Sequence, residues 1–289
     1  MGQRMKAELL LVVVTVIWGS TFVIVKGALA DASPVPFLAV RFMLAGFLLW
    51  AVLGRGQVER PALAAGVVLG VFLFAGYLFQ TWGLTLTTPS KSAFITGFSV
   101  ILVPLIMLFH GSRLRAANVG GALLGLLGIY FLVLPSGLQA VNRGDYLTLF
   151  GAVSFALHIV LVGRYTRRFS FLDLVPAQIL VVGLLAVLAL PLDPARALHW
   201  TNRLVFAVVV TAVLATGFAF AVQNWAQQYT PAAHTALIFA LEPVFAAVTS
   251  RLAIGERLGG KVLLGCLLIL GGMVVSEAWG GAAPSPVES

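Results

Sequence analysis

The 289-residue chain is 60% hydrophobic and only 10% charged, with a mean hydropathy of +1.03, whereas an ordinary globular domain carries about 25% charged residues. A soluble fold is excluded on that ground. The net charge of +8 would suggest nucleic acid in a soluble protein, but the basic residues stand singly or in short clusters between apolar runs, the pattern of loops beside a membrane. The expected partners are therefore the lipid bilayer and a small-molecule solute, with no nucleic acid.

A hydrocarbon core of roughly 30 Å needs about 20 apolar residues per helix. Taken in order, the apolar runs predict an all-α polytopic membrane protein of about ten transmembrane helices: Ala7 to Ala30, Pro36 to Leu53, Ala62 to Leu84, Ser92 to Phe109, Ala116 to Leu134, Asp145 to Val162, Phe171 to Leu190, Arg203 to Ala226, Ala232 to Ser250 and Gly260 to Trp279. The longest connection, Pro191 to Asn202, is too short for a separate domain, and residues 281–289 read as a disordered tail. Arg4 and Lys6 before an apolar stretch imitate a secretory signal, but the stretch is too long for one and nine further spans follow.

Lysine and arginine should be in excess on the cytoplasmic side. With the N-terminus inside, Arg4, Lys6, Arg55, Arg60, Arg113 and Arg115 fall inside over the first four spans, against Lys91 outside. Arg164, Arg167 and Arg168 agree. Arg251, Arg257 and Lys261 fall on the outer side, against the rule. Both termini are expected in the cytoplasm, at the cell inner (plasma) membrane.

The chain also repeats itself. Arg41 lies five residues before Gly46, as Gln178 lies five before Gly183; Thr88-Pro89 followed by Ser92-Ala93-Phe94-Ile95 and Pro104 echoes Thr230-Pro231 followed by Thr235-Ala236-Leu237-Ile238 and Pro243; Leu123-Leu124-Gly125 echoes Leu263-Leu264-Gly265. Five spans in residues 1–140 would be followed by five related spans in 141–280. An odd number makes the second copy enter from the opposite face, an inverted repeat of the kind that puts a transport site near the midplane. Inversion also accounts for the basic outer loop, as the counterpart of the inner loop at Arg113 to Arg115.

In their order along the chain, Trp18-Gly19-Ser20-Thr21-Phe22 with Lys26, Arg41-Phe42, Pro104, Glu242-Pro243 and Gly255-Glu256-Arg257-Leu258 resemble the EamA-type ten-span members of the drug/metabolite transporter superfamily. The loop Gly111-Ser112-Arg113-Leu114-Arg115 departs from that pattern, lacking the Glu often found there. The resemblance implies two inverted five-helix halves, a central pathway lined by spans one to four and six to nine, peripheral fifth and tenth helices, and export of small metabolites.

Embedded carboxylates cost several kcal/mol unless paired or hydrated, so Glu242, the one acidic side chain near the middle of a span, carries the most information. It reads either as a proton or substrate-amine partner in the pathway or as an interhelical anchor beside the break that Pro243 imposes by removing a backbone donor. Arg41 reads either as a site for a carboxylate or as an interfacial anchor; its counterpart Gln178 is polar too. Lys26 is expected to snorkel to the interface. Gln80, Thr96 and Ser99, and Gln223, Asn224 and His234, sit on helices that the resemblance places around the pathway, although such residues often merely bond neighbouring helices. His158 aligns near Ser20 and reads as a packing residue. Trp18 and Phe98 stand out from the many Phe residues as candidate pathway walls. Gly121, Gly125 and Gly128, like Gly66 and Gly70, have the spacing that lets helices approach closely, for packing or for a homodimer through the peripheral helices.

Other chemistries lack their parts. Gly255 and Gly260-Lys261 imitate a phosphate-binding loop, but Val262 replaces the hydroxyl residue and no strand precedes it. There is no nucleophile elbow, no His-Glu-x-x-His and no intramembrane aspartate pair. Cys266 is alone, so no disulfide framework or metal-ligand spacing exists, and no cofactor is expected. The sequence thus favours a non-enzymatic exporter of amino acids or similar amphiphilic solutes by alternating access. A flippase of lipid-linked substrates is the second reading, and a membrane enzyme or assembly factor the third.

Overall fold

The computed structural model describes residues 2–54, 59–108, 116–133, 142–257 and 259–278. Arg55, the Gly111-to-Arg115 loop, Leu258 and the tail expected at 281–289 lie outside them.

Helix follows helix along the whole described chain: α1 (Gln3–Ala28), α2 (Pro34–Leu53), α3 (Arg60–Leu86), α4 (Pro89–Gly97), α5 (Ser99–Leu108), α6 (Ala116–Val133), α7 (Arg143–Tyr165), α8 (Phe171–Leu188), α9 (Asn202–Ala212), α10 (Ala219–Ala226), α11 (Ala232–Phe239), α12 (Glu242–Ile254) and α13 (Gly260–Ala278). Among the described residues, seven helical stretches are long and apolar enough to cross a membrane: α1, α2, α3, residues 89–107, α7, α8 and residues 202–226. Large apolar side chains such as Phe47, Trp50, Phe150, Phe206 and Leu252 face outward, as a surface in lipid requires.

Helix starts carry their own chemistry. Proline opens α2, α3, α4 and α12 within the first turn, where its missing N–H costs nothing. Asn142 and Asp145 form a reciprocal capping box at α7, and Thr88, Ser170 and Thr201 cap α4, α8 and α9 with their side chains. Gly255 ends α12 in the left-handed region at φ 67°.

Three interruptions shape the interior. The fourth apolar run is divided at Phe98, where Phe98 N donates to Ile95 O at 3.1 Å and Ile101 N to Phe98 O at 3.0 Å, the tighter i to i−3 pattern. The ninth run breaks at Ala240 and Leu241, so that Glu242 and Pro243 begin a new helix. In the eighth run, residues 213–218 between α9 and α10 form a π-helical segment, which no sequence signal predicted.

The pairing of helices is regular. α1 packs on α12 and α10, and α7 packs on α5 and α3; α2 crosses α8, α3 crosses α8, and α6 lies along α13. The last contact is backbone-close: a Cβ on Gly128 would lie 2.6 Å from Gly265 O, and one on Gly272 2.5 Å from Gly121 O. The small-residue face of α6 is thereby covered within the chain.

Two large apolar cores account for most of the buried apolar side chains. Ala7, Leu11 and Val14 of α1 are fully buried in a cluster with Ile159, Ala226, Ala232 and Ala236, which closes the bundle at the N-terminal end of α1. Phe22, Val25, Phe37, Phe42, Leu73 and Phe220 belong to a second cluster toward the other end.

Candidate functional site

Between these helices lies a cavity with about 790 Å³ of space free of protein atoms, its mouth included. Its walls come from Trp18, Thr21, Phe22 and Val25 of α1, Arg41 of α2, the face of α3 from Leu73 to Leu84 that carries Tyr77 and Gln80, Thr96, Gly97, Ser99 and Val100 around the break between α4 and α5, Phe155, His158 and Ile159 of α7, Phe220 and Gln223 of α10, and Phe239 and Glu242 flanking the break before α12. On α1 and α3 the lining falls only in the C-terminal half. The cavity is therefore offset toward the 29–33 connection, with the Ala7, Leu11 and Val14 cluster filling the opposite end.

Arg41 is the cation of this cavity. Its side chain is 3% exposed, its Nε donates to Thr216 Oγ1 at 3.0 Å, and the guanidinium carbon stands 4.9 Å from the Phe42 ring centre and 4.7 Å from that of Tyr77. Among the described residues no carboxylate lies within ion-pair distance of it. Aromatic faces offset part of the desolvation, by about 2 kcal/mol for a desolvated cation–π contact, but a buried charge without a counter-ion remains costly.

The π-helical segment explains how Arg41 is held. Widening the helix by one residue per turn takes backbone carbonyls out of the regular ladder, and here Ala215 O accepts Trp18 Nε1–H at 2.8 Å while the adjacent Thr216 hydroxyl faces Arg41. Trp18 is further fixed against the Phe220 and Phe239 rings, at 5.4 and 4.9 Å between centroids. One irregular turn thus positions an aromatic wall and the cation.

Glu242 brings an acidic side chain to the cavity. It is the first residue of α12, where the unsatisfied backbone N–H groups and the helix dipole favour a negative charge. Gln80 Nε2 donates to Thr96 Oγ1 at 3.0 Å, tying α3 to the break after α4, and Ser99 lines the cavity just beyond it.

Of the residues singled out in the sequence, the structure brings together Trp18, Arg41, Gln80, Thr96, Ser99, Gln223 and Glu242. Ser20 lies instead opposite Thr249, with 3.4 Å between hydroxyl oxygens. Phe98 packs with Ile101 against Leu102, Leu105 and Leu149. Gln178 is fully buried behind the wall, between His158 and Asn224. His234 sits at the plugged end, with Nε2 3.1 Å from Glu8 Oε1, which also accepts from Arg4 Nε at 2.7 Å. Lys26 does more than reach an interface: its ammonium donates to the carbonyls of Leu84, Thr85 and Thr87 at 2.6, 3.2 and 2.9 Å, capping the C-terminus of α3. His158, read from the sequence as packing, is in the cavity wall. Tyr77 was not singled out, although it stands three residues before Gln80 and so on the same helix face.

At the mouth end the loops are clamped. Asp31 receives Arg203 Nε and a terminal guanidinium nitrogen at 2.8 Å each, and Thr201 Oγ1 at 2.7 Å. The hydrogen bond from Arg203 holds its carboxyl well below the ordinary range, at about 2, with Thr201 assisting. Lys91 pairs with Asp145 at 2.6 Å. Among the described residues no cluster of three or more His, Cys, Asp or Glu could hold a metal ion.

The model of the EamA-like transporter family matches residues 5–134 and again 142–277. An uncharacterized transporter of Archaeoglobus fulgidus is 34% identical over 274 residues, covering 94% of this chain and 86% of that one. A probable amino-acid metabolite efflux pump of Escherichia coli is 25% identical over 287 residues, covering 94% of each. One crystal structure superposes with a TM-score of 0.74 at 22% identity, over 96% of this chain and 99% of the other, a likeness of fold.

Proposed function

The chain belongs to the EamA-like transporter family, and from that premise we propose that it is a secondary transporter exporting amino acids or similar amphiphilic solutes by alternating access. The observation that carries the reading is the cavity itself. It joins a buried guanidinium that has no carboxylate partner among the described residues and the acidic side chain of Glu242, between aromatic walls, in a bundle plugged at one end. A solute carboxylate would supply the counter-ion that Arg41 lacks.

Ten spans in two inverted halves, residues 1–140 and 141–280, complete this reading. In its favour are the two separate matches of the family model and the exchange of partners, α1 with α10 and α12, α7 with α3 and α5. The moving bodies then mix both halves: α1 travels with α9 to α12, and α7 with α3 to α5. Both termini face the cytoplasm of the inner membrane, so the plugged end is cytoplasmic and the cavity faces outward. Peripheral α6 and α13 are the surface through which a homodimer would form.

Purified protein in liposomes, offered labelled amino acids, nucleobases and cationic dyes under imposed gradients, tests the proposal. Movement of amino acids supports it. Movement of a lipid probe with no solute movement would overturn it in favour of a flippase.

A further inference from the structure

Two hydrogen-bond chains run through the wall formed by α7, α8 and α10, and each starts on a backbone carbonyl. In the first, Asn224 Nδ2 donates to Phe220 O at 2.9 Å, so the Asn224 side-chain oxygen is the atom that accepts Gln178 Nε2–H at 3.1 Å. Gln178 Oε1 is then left facing His158 Nε2 at 2.7 Å. A carbonyl oxygen has no proton to give, so Nε2 must carry one, and the neutral ring keeps its lone pair on Nδ1. In the second chain, Gln227 Nε2 donates to Ile159 O at 3.0 Å and its oxygen accepts Gln223 Nε2–H at 3.1 Å. Gln223 Oε1 is left over, buried and, among the described residues, without a partner.

Each chain therefore ends on an acceptor atom of a residue that lines the cavity. His158 and Gln223 line it and are 2% and 1% exposed. Among the described residues no protein group bonds His158 Nδ1. The two ends are neighbours: the His158 ring stands 5.9 Å from that of Phe220, one helical turn before Gln223, and Ile159, which anchors the second chain, follows His158 directly. Backbone anchors also fix the sense of each chain, because a backbone carbonyl cannot donate.

We propose that His158 Nδ1 and Gln223 Oε1 form a two-acceptor subsite for a primary amine or ammonium group of the transported solute. The inference rests on the transport reading and deepens it. A buried acceptor without a donor is costly; Gln223 Oε1 is such an atom, and an amine, carrying at least two hydrogens, can serve it and His158 Nδ1 together. A carboxylate, all lone pairs, is repelled here and directed to Arg41. Glu242 in the same cavity offers a further oxygen to the hydrogens of that nitrogen.

The transport test compares L-phenylalanine with 3-phenylpropionate, which keeps the ring and carboxylate and lacks the amine, as competitors of labelled phenylalanine uptake. About tenfold stronger inhibition by phenylalanine is expected, the effect of one satisfied buried hydrogen bond. His158→Phe keeps an aromatic ring while losing the Nδ1 acceptor, and Gln223→Met keeps the volume while losing Oε1; each should bring the two competitors close to parity. Equal competition in the wild type, or an unchanged preference in both variants, would overturn the proposal. A second arm does not depend on transport. In protein labelled with ¹⁵N-histidine, the His158 signals, identified by their loss in His158→Phe, should show a protonated Nε2 and an unprotonated Nδ1 that moves on titration with methylammonium but not with acetate. A protonated Nδ1, or one indifferent to methylammonium, sinks the subsite. If no amino acid is taken up while Nδ1 still responds to methylammonium, the amino-acid reading fails and the subsite stands.

Discussion

Gly19 of α1 lies against the backbone of Glu242: a Cβ at that position would fall 2.6 Å from the Glu242 carbonyl oxygen, 2.8 Å from Phe245 Cβ and 2.9 Å from Ala246 N. The first turn of α12, and with it the cavity's carboxylate, is seated directly on α1.

Gly19→Ala opposes two effects. Helix propensity alone would stabilise the variant by about 1 kcal/mol, whereas overpacking against backbone costs about 1 to 3 kcal/mol. The contacts here are backbone atoms and a Cβ, which cannot swing aside, so net destabilisation and reduced uptake are expected. Thermal unfolding in detergent, read beside liposome uptake, checks it; a variant as stable as the wild type would mean that α12 is free to shift.

Removing the cation should weaken carboxylate solutes selectively. Arg41→Ala is expected to raise their apparent KM by about 10- to 100-fold, the range for a hydrogen bond to a charged group. Arg41→Lys should recover only part of it, since an ammonium cannot span Thr216 and a ligand as the guanidinium fork does. An unchanged KM in Arg41→Ala would take the residue out of the site.

Glu242→Gln keeps shape and hydrogen-bonding capacity but has no proton to exchange. If the carboxylate couples transport to a proton gradient, the pH dependence of uptake should vanish while the folded protein persists. A variant that transports with the wild-type pH response would identify Glu242 as an interhelical anchor.

The loop clamp has a defined pH signature. Because the folded-state pKa of Asp31 is depressed to about 2 from an unfolded value of about 3.9, its stabilisation is complete above the unfolded value and lost as pH falls through the folded one. The Tm difference between wild type and Asp31→Asn should therefore be constant above about pH 5 and close between about pH 4 and 2. High salt should narrow it, since the Arg203 side chain is half exposed. A difference that persists at pH 2 would assign the effect to Thr201 and the loop backbone instead.

Much of this protein was legible before any fold was seen, and the reason is the solvent. A hydrocarbon core forces backbone hydrogen bonds inside each segment and penalises charge, so apolar runs declare helices, and Arg41 and Glu242 declare themselves by standing where charges are expensive. The ordered motifs from Trp18 to Glu256 carried the family. The same solvent hides the rest. In water an amphipathic stripe tells which face of a helix is inside; in lipid every face is apolar, and a polar residue can look toward a cavity or a neighbouring helix with the same sequence pattern. Rotation of each helix is fixed by close packing, such as Gly19 on Glu242, and only that decided that His158 and Tyr77 face the cavity while Gln178, Ser20, Phe98 and His234 do not. The π-helical turn at residues 213–218 likewise left no mark in the sequence, because it is the tertiary demand of Trp18 and Arg41 that takes up the carbonyl and hydroxyl it presents.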